Sequence, residues 1–482
     1  MADKQPFYGW KLVAVLFLLV FFNMGFPYYG GSVINGYMIH EIPMSRSTLG
    51  LGFTLINLFV GLASMFVAIS ILKRGVRATF IIGAALTCVG SLFMAFDASK
   101  PWQYLIAFGV INGVGISFST LFTAATAVTR WFRRYRGRAM GIALSAPGFA
   151  GFAVSPFLDK MLRTAGGDWR AGWRIVAGAS LISALLALVF VKETPQSLGQ
   201  TVDGIPPEEQ SRPSRTDTLT TSYPWTAAQA YRTSAYWLIA VGGVATTFPF
   251  FFFVAHWILR LRGAGIGSSS AAWAMSLFTI GTIAGHWLGG LLMDILNARL
   301  VFAIGLSIYF VGSYLAIVVQ PDMLTIAYAA AIAYGVASGW TLTCVSTITA
   351  HYYGPAAFPQ LNGMMTLVTS VLASPAGYIG GKLFDLHGNY TRAFQLNCVI
   401  AAIGIVAVAL AVMPRPRGEA GAPGPGLRDP SDSTAQGLPV GQVIRRQRLK
   451  LNSLKGAWRR MLSCPLSAIH VCNIATGLRR GE

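Results

Sequence analysis

The chain has 482 residues, of which 54% are hydrophobic and 11% are charged, and its mean hydropathy is +0.56. In soluble domains about a quarter of the residues are charged. This composition therefore excludes an ordinary soluble protein and predicts one that crosses a membrane several times. The net charge of +20 does not indicate a nucleic-acid partner. The basic residues lie in loops and a tail beside apolar runs, where they set topology and contact anionic lipid.

Twelve apolar runs follow one another along the chain. Each is long enough to cross a bilayer as a helix, which takes about 20 residues. They are Tyr8–Tyr37, Thr48–Leu72, Ala78–Phe96, Trp102–Thr129, Ala139–Leu162, Trp173–Val191, Tyr236–Leu259, Ser270–Met293, Leu300–Val319, Met323–Ala350, Leu361–Leu383 and Ala393–Met413. The sequence therefore predicts an all-α membrane protein with twelve transmembrane helices.

A basic loop, Arg130–Arg138, separates the fourth run from the fifth and contains five arginines in nine residues. Such clusters mark the cytoplasmic side of a membrane protein. In the first half of the chain, ten basic residues fall on the side of this loop and six on the other. An even number of spans puts both termini on the same side, so we expect both termini in the cytoplasm. We also expect an integral protein of the plasma (inner) membrane.

Two polar stretches divide the chain into four parts. We expect an N-terminal six-helix bundle (1–191), a cytoplasmic central loop (192–235), a C-terminal six-helix bundle (236–414) and a basic cytoplasmic tail (415–482). The tail is rich in proline and glycine and then in basic residues. It is either unstructured or ends in an amphipathic helix on anionic lipid.

An internal repeat supports two six-helix halves. In the first half a glycine-rich run leads to Trp131-Phe132 and then to a second run that ends at Ser155-Pro156. In the second half a glycine-rich run leads to Tyr352-Tyr353-Gly354 and then to Ser374-Pro375. Repeated halves with a site between them are the architecture of secondary transporters, although channels also contain repeats.

Several short motifs occur in order along residues 7–414. They are Tyr8-Gly9-Trp10, Ser45-Arg46-Ser47, Arg130-Trp131-Phe132, Arg136-Gly137-Arg138-Ala139-Met140-Gly141, Gly172-Trp173-Arg174, Glu193-Thr194-Pro195, Ser374-Pro375-Ala376-Gly377, Phe384-Asp385 and Gly388-Asn389-Tyr390. In this order and spacing they resemble the major facilitator superfamily, and within it the monocarboxylate-transporter-like and oxalate/formate-antiporter-like branch. The resemblance implies the major facilitator fold, with two pseudo-symmetric six-helix bundles and a cavity lined by helices one, four, seven and ten.

The resemblance also implies a set of gating residues. The superfamily's cytoplasmic loop motif places an acid four residues after a glycine. Its second copy has Gly290 and Asp294 with Arg299 following, whereas its first copy has Leu72 where the acid is expected. An acid at this place can cap the positive N-terminus of a neighbouring helix, and the alternative for Asp294 is a plain interfacial carboxylate. The set also includes three residues of the basic loop, which are Arg136, Gly137 and Arg138.

His286 is the leading candidate for contact with substrate. It lies four residues before Gly290, where relatives of this branch often carry an arginine that binds a carboxylate. Its alternative role is a core histidine that is hydrogen-bonded to a neighbouring backbone, and for His256 an interfacial role is favoured. The other candidates are uncharged side chains at mid-helix, which either line the cavity or hold helices together. They are Asn23, Tyr28, Tyr29, Asn112, Ser117, Trp340, Thr341, Thr366 and Ser370.

The leading hypothesis is a secondary transporter that moves a mono- or dicarboxylate by alternating access, as a symporter or antiporter. The alternatives are transport of an uncharged or amphipathic compound on the same scaffold, or a membrane receptor. A receptor would need a soluble signalling domain, which neither polar stretch resembles. No metal spacing, nucleotide loop or nucleophile motif occurs, so we expect no enzyme, catalytic residue, metal or cofactor. The expected partners are a small-molecule substrate and the bilayer, compatible with a monomer.

The predicted topology can be checked in whole cells. A cysteine placed beside Lys4 should resist a membrane-impermeant thiol reagent until the cells are permeabilised. Labelling of that cysteine in intact cells would overturn the assignment of cytoplasmic termini.

Overall fold

The computed structural model describes residues 6–39, 41–44, 46–205, 220–221 and 223–415. The predicted tail beyond residue 415, including its amphipathic helix, and residues 206–219 of the central loop lie outside the described residues. Within the described ranges the regular structure is helical, as predicted.

Ten helical runs are long and apolar enough to cross a membrane. Two of them, with 49 and 64 residues, are about twice as long as the others. Each turns at a glycine with a positive φ, 86° at Gly75 and 71° at Gly354, where a residue with a Cβ would be strained. Division at these two glycines gives twelve helices, in agreement with the predicted number.

We number the helices in chain order. They are α1 Tyr8–Met38, α2 46–74, α3 76–96, α4 Pro101–Trp131, α5 Arg136–Thr164, α6 Trp169–Phe190, α7 Ser234–Gly263, α8 Ser268–Ile295, α9 Ala298–Val318, α10 324–353, α11 355–387 and α12 Thr391–Leu410. Short helical turns at Pro195–Leu198, Val202–Gly204 and Ala227–Ala230 lie between α6 and α7.

Each half of the chain has its own aromatic core. In the second half, Phe253 stacks on Trp257 and Tyr334 with ring centroids 4.8 and 4.2 Å apart. In the first half, Phe108 packs between Tyr104 and Trp173. The outer surface carries many exposed large apolar side chains. Such a surface is stable against lipid tails, which solvate apolar side chains, and would aggregate in water.

The two halves meet most closely at the end of the helices where the loop Arg130–Arg138 lies, which we call the basic end. Here α5 crosses α8 with almost no side chain between the backbones. A Cβ on Gly137 would collide with the carbonyl oxygen of Gly290, and one on Gly141 would collide with that of His286. A second contact joins α2 to α11, where the Ser64 hydroxyl donates a 2.7 Å hydrogen bond to the Gly363 carbonyl.

At the opposite end, the far end, the helix ends pack within their own halves. The last part of α1, Gly31–Met38, contacts α5 and α6, and Ala376–His387 of α11 contacts α7 and α12. Glu41, in the loop after α1, accepts hydrogen bonds from Arg170 and from Trp169, and these bonds hold the pKa of its carboxyl below the ordinary value. The molecule is therefore joined across its halves at the basic end, while its far-end elements belong to one half or the other.

The crossing of α5 and α8 provides a test of this arrangement. Gly141→Leu should disfavour the closed basic end by about 1–3 kcal/mol, because the added side chain must displace backbone. We expect uptake of substrate to fall about tenfold or more, while the protein is still made and inserted. The matched control is Gly178→Leu, at a glycine of α6 with no atom within 4 Å of its would-be Cβ. Equal uptake by the two variants would contradict this interpretation of the crossing.

Candidate substrate site and basic-end gate

The first-half wall of the candidate site is built on one face of α2. Asn57, Gly61 and Ser64 recur at a helical spacing, so they share that face. Gly61 contacts Ser370 and Ser64 bonds to Gly363, both on α11. Asn57 lies on the same face one turn nearer the far end, and its NH2 group donates to the Phe53 carbonyl of its own helix.

A π-helical segment of α1, Gly25–Gly30, completes this wall. Tyr28 accepts a 3.5 Å hydrogen bond from the Asn57 amide of α2, and Tyr29 packs over Gly151 of α5. The two half-buried rings meet edge to face, with centroids 5.4 Å apart. Segments of π-helix frequently occur at functional sites because they redirect side chains. Here one phenol contacts α2 and the other contacts α5, the two first-half helices that cross into the second half.

The second-half wall is also made of uncharged polar groups. Half-buried Thr366 lies between Gly363 and Ser370 on the face of α11 that meets α2. On α8, the Thr282 hydroxyl shares a 3.1 Å hydrogen bond with Ser338 of α10 and so ties two helices of the second half together beside this wall. The two walls together offer amide, phenol and hydroxyl groups to a small solute.

His286 lies at the base of this region, where α8 crosses α5. Its backbone faces Gly141, and its side chain is buried against α10. Nδ1 shares a 2.8 Å hydrogen bond with the Thr343 hydroxyl, which itself donates to the Gly339 carbonyl. Nδ1 is therefore the donor, and Nε2 is left as the acceptor of a neutral ring. His256, by contrast, is bonded within the second half, to Tyr390 and to the Gly377 carbonyl.

Asp294 joins the two halves at the basic end. Its carboxylate accepts hydrogen bonds of 2.6 Å from the Gly137 N–H and 2.9 Å from the Arg138 N–H, at the first turn of α5. The Arg138 guanidinium lies 3.7 Å from the same carboxylate. A helix N-terminus has unpaired N–H groups and a partial positive charge, so a carboxylate is well placed there. This acid of the second half therefore caps a helix of the first half.

Two further carboxylates hold the basic loop, and sequence reasoning missed both. Glu193 accepts from the Val76 and Arg77 N–H groups and pairs with Arg130 at 2.8 Å. Both oxygens of Asp203 accept from backbone N–H groups of residues 133–135 at 2.8–3.3 Å. The loop after α2 is thus bonded to a carboxylate although its own motif has Leu72.

The remaining gating candidates lie around these bonds. Arg136 is buried and donates from Nε to the Phe132 carbonyl. Arg299 begins α9, where its N–H donates to the Asn297 side chain, and its guanidinium reaches the Ala409 carbonyl of α12. Arg299 therefore ties helices of the second half together.

Five of the predicted substrate contacts point into a single bundle. Asn23 bonds to Ser183 of α6, Asn112 faces Gly90 of α3, and Ser117 donates to the Val60 carbonyl of α2. In the second half, Trp340 donates to the Val301 carbonyl of α9, and Thr341 donates to the Ala337 carbonyl. These side chains hold neighbouring helices together, so we no longer assign them to substrate. Ser370 also lies in the contact between α2 and α11, one turn nearer the far end than Thr366.

Sequence reasoning missed Asn57 as a site residue. A signal was present, since this amide interrupts an apolar run four residues before a glycine. Among the described residues, no group of three or more His, Cys, Asp or Glu is placed to hold a metal ion.

Comparison with known proteins gives consistent matches. The family model described as Major Facilitator Superfamily matches residues 13–264 and 261–476. Monocarboxylate transporter 13 of Bos taurus is 27% identical over 326 residues, which cover 67% of this chain and 70% of that protein. The MFS-type transporter pytF of Aspergillus terreus is 25% identical over 296 residues, which cover 60% of this chain and 90% of that protein.

The solved structures that resemble this chain include two of the transporter FucP. A single-residue variant of the E. coli fucose:proton symporter superposes with a TM-score of 0.63 at 14% identity, covering 85% of this chain and all of that one. FucP in the outward conformation superposes with a TM-score of 0.62 at 14% identity, covering 84% of this chain and all of that one. At this identity the likeness concerns the fold alone.

The cap on α5 leads to a prediction for Asp294. Asp294→Asn should destabilise the closed basic end by about 1–3 kcal/mol, because an amide lacks the charge and directs an NH2 group at one of the two N–H donors. Thiol labelling of a cysteine introduced beside Gly137 should therefore become faster by about tenfold. The control is Asp322→Asn, at an exposed acid between α9 and α10. Unchanged labelling in the Asp294 variant would show that this carboxylate does not hold the gate.

Proposed function

Because the chain belongs to the Major Facilitator Superfamily, we propose that it is a secondary active transporter that moves a small mono- or dicarboxylate across the membrane by alternating access. The observation that carries this proposal is the position of His286, which forms the base of a site whose other side chains are uncharged. Relatives named as monocarboxylate transporters support the same substrate class.

An uncharged site constrains how an anion can be carried. Transfer of an unpaired carboxylate into a region of low dielectric is strongly unfavourable. The phenols of Tyr28 and Tyr29 can donate hydrogen bonds to such a group, but they do not neutralise it, and the NH2 group of Asn57 already donates to Tyr28 and to the Phe53 carbonyl. The substrate charge must therefore be balanced by a proton or exchanged for another anion.

His286 supplies a place for that proton within the site. The Nε2 atom of its neutral ring is free to accept a proton, while Nδ1–H stays bonded to Thr343. A protonated ring would attract a carboxylate lying between the two walls, and loss of the proton would weaken the attraction. Binding of the anion and binding of the proton would then favour each other.

A second candidate function is transport of an uncharged or amphipathic compound. The neutral walls favour it, because hydroxyl, amide and aromatic groups also suit a solute without charge. In that case His286 would be a packing residue that joins α8 to α10.

The proposal includes the surroundings of the protein. We place it in the plasma membrane with the basic end and both termini in the cytoplasm, on the distribution of basic residues. We retain the four parts predicted from the sequence, with 1–191 and 236–414 as the two moving bundles. The expected partners are the substrate and the bilayer, compatible with a monomer and without nucleic acid.

The test is flux into proteoliposomes with a panel of mono- and dicarboxylates and neutral analogues of equal size. We expect saturable uptake of carboxylates that depends on pH. His286→Gln keeps a hydrogen-bonding side chain but cannot titrate, so it should weaken apparent carboxylate affinity about tenfold or more and flatten its pH dependence.

The matched control is His256→Gln, since His256 is bonded within its own half near the far end. This variant should keep the affinity and pH dependence of the unmodified protein. Uptake of the neutral analogues alone, or an unchanged pH dependence in the His286 variant, would reject the carboxylate proposal in favour of the second candidate.

A further inference from the structure

A second histidine, His351, lies at the basic end and takes no part in the site described so far. It is in the last turn of α10, three residues before the turn at Gly354, and none of its surface is exposed. Neither ring nitrogen has a hydrogen-bond partner among the residues that the structure describes. A neutral imidazole has one donor and one acceptor, so both polar groups of this side chain are buried without a partner.

His351 lies at the level of the gate. The bonds Thr282–Ser338 and His286–Thr343 fix the register of α8 beside α10, which run in the same direction. Asp294 lies eight residues after His286 on α8, and His351 lies eight residues after Thr343 on α10. The two residues are therefore at the same height along the paired helices. The chain on either side of His351 also enters the core of the first half, through Ala350 and Phe358.

The charged groups around His351 are those that form the closed gate. Arg136 of α5 acts on the imidazole electrostatically, and it is itself within reach of Asp294, Asp203 and Arg133. From the central loop, the Thr221 N–H donates a 2.8 Å hydrogen bond to the His351 carbonyl. On α10 the adjacent titratable groups are Tyr352 and Tyr353, whose hydroxyls bond to the Ala411 carbonyl and to Thr233.

We propose that His351 is a proton-binding residue of the gate, and that the basic end closes only when its ring is neutral. A proton on the buried ring would place a second cation beside Arg136, with neither imidazole N–H bonded. When the halves part at this end, water can reach the ring and satisfy both nitrogens. The open form therefore binds the proton better than the closed form, and the proton must leave before the gate closes.

This role of His351 rests on the proposed alternating access, but it does not depend on the substrate class. Because protons favour the form that binds them, lowering the pH should shift the protein toward the open basic end. For one proton, the ratio of open to closed forms should change by up to about tenfold per pH unit.

The test measures this ratio in the full chain, in lipid nanodiscs and without substrate. Spin labels at Lys73→Cys and Leu296→Cys, after replacement of the native cysteines, report the distance between the halves at the basic end. We expect the long-distance population to grow as the pH falls from about 8 to about 5.5, the range in which an accessible histidine titrates. His351→Gln should abolish this growth, and His351→Leu should favour the short distance at every pH, because it removes the unpaired polar atoms.

The matched control is His387→Gln, at an exposed histidine of α11 near the far end, which should respond to pH as the unmodified protein does. Retention of the full response by both His351 variants would overturn the proposal. Loss of the response in His286→Gln alone would overturn it too and would assign the proton to His286. Because no substrate is present, failure of the carboxylate panel leaves these outcomes unchanged. If His351→Gln does not fold, His351→Asn serves the same comparison.

Discussion

We propose that the closed form depends on one interaction, the two hydrogen bonds that the Asp294 carboxylate accepts at the N-terminus of α5. The first N–H groups of a helix have no partner within it, and at a crossing of two helices there is little water to supply one. Asp294 satisfies two of these groups from the other half of the chain. The bond forms only because Gly137 and Gly290 let the backbones approach closely. When the halves part, the carboxylate and both N–H groups must be hydrated, which is possible where the helices end at the membrane surface.

Charge is distributed unequally between the gate and the site. The basic end holds Asp294, Arg136 and the carboxylates of Glu193 and Asp203 around one loop. The walls above it present phenol, amide and hydroxyl groups, with His286 at the boundary between the two regions. Each carboxylate at the gate is paired or bonded to backbone in the closed form, so opening exchanges these bonds for water. Because the walls are neutral, the charge of a bound solute would set the electrostatic potential in that region.

The sequence predicted the all-helical fold, the number of helices and the superfamily, because long apolar runs, basic loops and ordered motifs depend little on tertiary contacts. It also singled out Asp294 and Gly137 at recognisable spacings, and the structure brings the two into contact, while their role as a gate stays a prediction. The sequence was a poor guide to the direction in which polar and aromatic side chains at mid-helix point. Asn23, Asn112, Trp340 and Thr341 are polar or aromatic groups at mid-helix, and only the packing of neighbouring helices decides that they face inward within one bundle.

Other features depended on contacts distant in sequence. Glu193 bonds to a loop more than a hundred residues earlier, and no local pattern marks that pairing. His351 escaped notice because the predicted tenth span ended at Ala350, one residue before it. Asn57 was passed over because a single amide in an apolar run is as often a packing residue as a binding one. The fold could thus be predicted well from the sequence, whereas the contacts between side chains distant in sequence could not.

The central claim is that the protein alternates between closure at the basic end and closure at the far end about one site. Distance measurements at both ends of the same protein test it most directly, with one label pair at Lys73 and Leu296 and another at Lys160 and Leu386. Addition of a saturating transported solute should shift the two distance distributions in opposite senses, one lengthening as the other shortens. Distances that change together, or a change at one end alone, would contradict alternating access through this site.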